Sequence, residues 1–242
     1  MKEPLITIVL ATKNSHERID DFLISFFSQT YVNKRLIIVD GASDDMTISF
    51  LYVIDRFIYK LYSDHDISIY DAWNRALKWC DEGWVMFMGD DDTFIDNNSL
   101  EFVACSLLSV DSNCNFVSFG CMSASHYVGV GLNTKKMSFG GGLGLCHVGT
   151  LHRYDLFVDD RFRASLKITG DYDFILRNKH KIVHKYFTKP IVQIGNSGIS
   201  TRLSINYLLE GFHLYKRYAD YRLMSSILWL FRQLLRIFSR NV

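Results

Sequence analysis

The chain has 242 residues, enough for one large α/β domain with a short appendage. Apolar residues make up 48% of it, which excludes global disorder, and a formal net charge of +1 leaves no basic surplus to argue for nucleic acid as a partner. With two prolines, proline-rich linkers are also excluded.

Residues 5–11 form a continuous apolar run rich in β-branched side chains, the pattern of a strand covered on both faces. Asn14 with Glu17 three residues later has the form of a capping box, and Ile19, Phe22, Leu23 and Phe26 follow at helical spacing. Residues 35–39 read as a second buried strand ending at Asp40-Gly41; 47–57 are expected to be helical and 61–62 to be a short strand. Ile69, Ala72, Trp73, Ala76, Leu77 and Cys80 mark one face of an amphipathic helix. Residues 84–88 are a third buried strand, running into Gly89-Asp90-Asp91-Asp92. Strands alternating with helices imply an open, mainly parallel sheet with ligands at the carboxyl ends of its strands.

The back half is less regular. Residues 116–119 and 186–194 read as strands, and the glycine-rich stretch 129–149, including Gly140-Gly141-Gly142, as a loop beside a site. Residues 168–176 carry an acidic pair, Asp171 and Asp173, and from residue 204 the pattern is helical. Five cysteines with no C-x-x-C pair fit reduced thiols in a cytosolic protein. The opening apolar run is too short for a secretory signal, and no stretch approaches the ~18 apolar residues of a membrane span.

Two groups of side chains point to chemistry. Asp40 and the triple Asp90-Asp91-Asp92 each follow a buried strand, which places them in one crevice of a parallel sheet. Three adjacent carboxylates repel one another, and a divalent cation relieves that repulsion; oxygen ligands suit Mg²⁺ or Mn²⁺. The competing reading is a turn that caps the next helix. Asp171, at the head of a helix, is placed to accept a proton from an attacking hydroxyl, or else to cap that helix.

In order along the chain, ITIVLATKN, LIIVDGASDDMT, SDHDISIYDAWNRALKWCDEGWVMFMGDDD, LCHVGTLHRYDLF, KITGDYDFILR and GNSGIST resemble the family 2 glycosyltransferases, above all the branch with colanic-acid-type bacterial enzymes. The resemblance covers roughly residues 4–202 and implies a GT-A fold: a Rossmann-like, open, mixed but mainly parallel sheet flanked by helices. It makes 1–202 the transferase domain and 203–242 a C-terminal helical extension. It implies an inverting, metal-dependent hexosyl transfer from a UDP-, GDP- or dTDP-sugar to a glycan or lipid-linked acceptor in bacterial surface polysaccharide synthesis.

Residue by residue, the resemblance has Thr12 and Asp40 contact the nucleoside, with Asp40 accepting a hydrogen bond from the base. Asp66 and Asp71 lie where relatives approach the nucleotide, although Ser68 and Asp71 also spell a helix cap. Asp90 and Asp92 would hold the metal, Asp91 would face the sugar or ribose, and Asp171 would be the general base. His147 is a further candidate for the metal, the diphosphate or the acceptor. The chain departs from the family at Gly170-Asp171, where Glu-Asp is common, and at His147-Val148, where His-Gln is common. Two other classes compete: a nucleotidyltransferase, which would want a glycine-rich basic signature near the first strand that LATKNSHERI lacks, and a non-catalytic nucleotide-sugar-binding module, which would have no use for Asp171.

Near the end, Met224, Ile227, Leu228, Leu230, Phe231, Leu234, Leu235 and Phe238 share one broad face, and Arg232, Arg236 and Arg240 recur on another. Such a helix is expected either to lie on an anionic membrane through residues 222–242 or to pack on the domain or a second subunit. Trp229 falls on the charged side, the place of an interfacial anchor. The expected location is the cytoplasm, or the inner face of the cytoplasmic membrane.

Overall fold

The computed structural model describes residues 2–124, 126–129, 131–133, 143–196, 204–219 and 222–240. The glycine triple at 140–142 and most of the glycine-serine loop, residues 197–201, lie outside the described residues.

The front half is a parallel β-α array. β1 (Ile6–Thr12), β2 (Lys34–Asp40), β3 (Lys60–Ser63) and β4 (Trp84–Met88) pair in the order β3-β2-β1-β4, all parallel. Alternation along these strands explains their unbroken apolar runs. Ile6, Ile8, Leu10, Leu36, Ile38, Met86 and Met88 enter one cluster with α1 (Ile19–Phe27) and α4 (Ser99–Ser109). Val9, Ile37, Val39, Val85 and Phe87 enter a second cluster with α3 (Ile69–Ala76). With both faces covered, the middle of β1, β2 and β4 is apolar at successive positions. Each large side chain so buried contributes about 1.5–3 kcal/mol.

Beyond β4 the strand direction changes. β8 (Thr150–Arg153) runs antiparallel to β4, and β6 (Phe116–Ser123) runs antiparallel to β8. β9 (His184–Ile194) lies parallel to β6, and the two-residue β5 (Thr93–Phe94) pairs antiparallel with it at the edge. β7 (His126–Val128) adds to β6 off the main path, giving nine strands among the described residues. α2 (Thr47–Val53) follows β2, and α5 (Gly170–Arg177) precedes β9. The chain ends in a helical hairpin, α6 (Ile205–Tyr218) and α7 (Arg222–Arg240). Leu214, Tyr215 and Trp229 of that hairpin belong to the second cluster, so the extension shares a core with the sheet.

Two local expectations fail. Asn14 is not a cap: it takes a left-handed conformation (φ 51°), its N–H donates to Ser43 Oγ at 2.8 Å, and its Oδ1 accepts from the Asp44 N–H at 3.1 Å. α1 starts at Ile19 with no side-chain cap, because Asn14 is spent tying the β1 loop to the β2 loop. The helix expected over 47–57 stops at Val53 and continues as one tight turn, Asp55–Phe57; the β-branched pair Val53-Ile54 lends it little support.

Candidate active site

Asp40 lies at the end of β2 with no exposed surface. Its carboxylate accepts from Thr12 Oγ1 (3.1 Å), the Ser43 N–H (2.9 Å), Ser63 Oγ (2.8 Å) and Ser43 Oγ. Four protein donors thus converge on Asp40. It clamps the loops after β1, β2 and β3 together. Thr12 is its register partner and equally enclosed.

The open residues around that clamp are others. Lys13 is exposed and donates through Nζ to the Gly41 carbonyl at 3.1 Å. The Asp66 carboxylate rests on Gly41, where a Cβ would meet its Oδ2 at 2.8 Å. Burial raises the Asp66 pKa, and Lys13 works against that rise. Asp71 acts on its own helix: its N–H donates to Ser68 Oγ (3.2 Å), and its Oδ2 accepts from the Ile67 N–H (3.3 Å) and pairs with Arg75 (3.0 Å). The capping role is therefore present, and it occupies the Asp71 carboxylate.

The acidic triple forms a turn after β4. Asp90 is paired with Arg18 at 2.7 Å, an arginine the sequence pattern did not single out. Asp92 is buried, with Oδ2 accepting from the Gly89 N–H (2.8 Å) and Oδ1 from the Gly195 N–H (3.1 Å). Its pKa is pushed up to about 6 by burial, with Asp91 and Asp90 adding repulsion against those two hydrogen bonds. Asp91 lies flat on Gly195, where a Cβ would fall 2.2 Å from its Cγ. Only glycine lets the end of β9 press on this turn.

This crowding of hard oxygen donors fits Mg²⁺ or Mn²⁺. Among the described residues, no three His, Cys, Asp or Glu side chains converge as a metal cage. The fit is thus to a site with one or two protein carboxylates, completed by water and substrate phosphates. His147, the further candidate for the metal, the diphosphate or the acceptor, sits in an aromatic surround. The His147 ring stacks on Trp73 (5.1 Å between centroids) and Phe87 (5.8 Å). Burial lowers its pKa and Asp171 opposes that, so His147 belongs to the Asp171 side. Its Nε2 is enclosed without a hydrogen-bond partner among the described residues.

Asp171 stands in the first turn of α5, on a cleft of about 570 Å³. Tyr70 Oη is 3.1 Å from its Oδ1 and 2.7 Å from the Ile168 carbonyl. Burial and the Asp171 charge raise the Tyr70 pKa well above the usual phenol range, which keeps it a donor. Asp173, two residues on, is closed to ligands: it is buried between Arg163 (2.7 Å), Arg177 (2.7 Å) and Tyr218 Oη (2.8 Å). The cleft is bounded on one side by Cys146 and Ile194, which lead to Gly195 and the acidic turn. Tyr207, Tyr215 and Trp229 of the hairpin form the opposite wall. Glu210 fastens that wall by accepting from the N–H groups of Lys167 (2.7 Å), Ile168 (2.9 Å) and Thr169 (3.0 Å).

A parallel front sheet continued by antiparallel strands, with an acidic turn after β4 and a carboxylate at the head of α5, has the GT-A fold. Residues 7–104 match the family described as Glycosyl transferase family 2. The chain is 26% identical over 192 residues to the PGL/p-HBAD biosynthesis glycosyltransferase of Mycobacterium bovis (strain BCG / Pasteur 1173P2), covering 73% of this chain and 70% of that one. The fold is similar to S. aureus TarS 1-349 in complex with UDP-GlcNAc (TM-score 0.70, 16% identity, 97% of this chain and 72% of that one). It is also similar to the mannosyltransferase PcManGT from Pyrobaculum calidifontis in complex with GDP-Man and Mn²⁺ (TM-score 0.63, 15% identity, 95% and 70%). The family match covers the front part of the sheet, and the similarity in fold extends over nearly the whole chain.

Proposed function

We propose that this enzyme transfers a hexosyl group from a nucleotide-sugar to a hydroxyl of a glycan or lipid-linked glycan, with inversion, in the synthesis of a bacterial surface polysaccharide or glycolipid. The observation that carries this reading is the Asp171 carboxylate, on a cleft also lined by Ile194, whose chain neighbour Gly195 donates to Asp92 of the acidic turn. Neighbours of the same fold bind UDP-GlcNAc, and GDP-Man with Mn²⁺, which supports a nucleotide-sugar donor and a divalent ion here.

The nucleoside lies over Gly41 between Lys13 and Asp66, on the platform that Asp40 holds rigid from beneath. The diphosphate lies against the 90–92 turn, where Asp92 with Asp90 or Asp91 would hold Mg²⁺ or Mn²⁺. Such an ion supplies Lewis-acid neutralisation of the departing phosphate charge. Arg18 keeps Asp90 aligned until the donor arrives. From the other side, Asp171 accepts the proton of the attacking hydroxyl, while Tyr70 fixes the carboxylate by donating to Oδ1. His147, kept neutral by burial and stacked on Trp73, lines the cleft beside Asp171. With Asp171 the one carboxylate among the described residues that line the cleft, a single displacement inverts the anomeric centre.

The test is a panel of UDP-, GDP- and dTDP-sugars with and without Mn²⁺, read by nucleotide release and by thermal shift. Asp171→Asn should keep the shift given by the donor while nucleotide release to the acceptor falls by about 100-fold or more. Unchanged release would remove Asp171 as the base, and a chain that binds donors yet never turns over would be a binding module.

A further inference from the structure

α7 is turned inside out for a helix that ends a globular domain. Among its described side chains, those it buries are Ser225, Ser226, Trp229 and Gln233, three polar and one aromatic. Its large aliphatic and aromatic residues face outward: Leu223, Met224, Ile227 (54% exposed), Leu228, Phe231 (58% exposed) and Leu235. At about 100° per residue these six fall within an arc of about 140°, opposite the buried face. Packing on the domain, one of the two expected fates of this helix, therefore involves the wrong side to hide its apolar ridge. Trp229 is no interfacial anchor: it is 5% exposed, and it packs so closely on α6 that a Cβ on Gly211 would fall 2.1 Å from its ring.

We propose that the outer face of α7 docks on the surface of a lipid bilayer bearing anionic headgroups. Charge complementarity selects this occupant. Lys216, Arg217 and Arg222 are exposed at the facing ends of α6 and α7, Arg232 is exposed on the flank of the ridge, and none forms an ion pair among the described residues. The one acidic side chain described on the hairpin, Glu210, is spent on the N–H groups of residues 167–169. No helix among the described residues is long and apolar enough to cross a membrane, so the ridge lies in the interface and does not span it. Arg232 and Gln233 also line the Asp171 cleft, so a bilayer against α7 lies beside the cleft mouth.

The test is sedimentation of the full chain with vesicles of phosphatidylcholine, with and without phosphatidylglycerol. The wild type should bind the anionic vesicles and lose binding as salt is raised. The double variant Ile227→Glu/Phe231→Glu, altered only at exposed positions, should bind at least about tenfold more weakly, because two apolar side chains leave the interface. Reversing Lys216 and Arg217 to Glu should weaken binding on anionic vesicles alone. Equal sedimentation of wild type and Ile227→Glu/Phe231→Glu would overturn the proposal. So would a wild type that ignores vesicles, including one that forms a dimer in solution which the double variant splits. The proposal and the catalytic reading fail separately: Asp171→Asn should bind vesicles like the wild type, and Ile227→Glu/Phe231→Glu should shift thermally with donor like the wild type.

Discussion

Asp40 and Asp171 show how differently the two ends of this molecule treat a carboxylate. On the nucleotide side, Asp40 is sealed beneath three loops and saturated by Thr12, Ser43 and Ser63. On the proposed acceptor side, Asp171 receives one phenol hydrogen bond among the described residues and otherwise opens on a cleft. A saturated carboxylate holds backbone in place, whereas one with free lone pairs can take a proton. The same division runs through the two regions. Residues 6–92 build a rigid platform from regular parallel strands; residues 143–240 build a chamber from short turns, one helix head and a hairpin.

The largest effect expected on this contrast is catalytic. Asp171→Asn should cost about 10²–10⁴ in transfer rate with little change in melting temperature, measured by product formation beside calorimetry. Asp40→Ala should do the reverse, lowering stability by at least about 3 kcal/mol through its orphaned donors, each worth about 1–3 kcal/mol. Should Asp40→Ala stay as stable as the wild type in urea titration, the platform reading is wrong.

Acid separates the two regions next. Burial lowers the pKa of His147 and of His152, and lowers His184 to about 4. All three lie beyond β4, while His16 and His65 on the platform are exposed. Because the unfolded chain takes up protons near pH 6.5 and these folded imidazoles do not, their stability is complete above that pH. It is lost as pH falls toward 4, by up to about 3 kcal/mol for His184. Hydrogen exchange at pH 7.5 and pH 5 should show the acceptor side loosening first; uniform loss would break the contrast.

A smaller effect is expected at the hairpin. Gly211→Ala drives a Cβ into Trp229, costs about 1–3 kcal/mol and should raise the acceptor KM with donor KM unchanged. The smallest is on the platform side: Ser68→Ala removes the α3 cap and should cost about 1 kcal/mol in chemical denaturation, without altering turnover.

The strands 6–12, 34–40 and 84–88 were readable because a two-faced strand carries its own signal, apolar residues in succession such as Ile8 to Ala11, Leu36 to Val39 and Trp84 to Met88. The Ser68–Asp71 cap was readable because its partners are three residues apart. Roles made by distant partners were not. Nothing local to VDG told that Ser63 would close over Asp40, and nothing in MGDDD told that Arg18 would meet Asp90 or Gly195 would meet Asp91 and Asp92. Tyr70 gave only the signal of an aromatic on an apolar helix face, yet it orients Asp171 from 101 residues away.

By itself the sequence determined the alternating elements, the acidic turn after β4 and the amphipathic character of α7, since periodicity and adjacency are properties of the chain. Tertiary structure alone decided which carboxylates are sealed and which open, and which face of α7 the protein keeps. Both depend on donors and aromatic surfaces brought from elements far apart in sequence, and a hydrogen bond or a packed ring is counted where it forms in space.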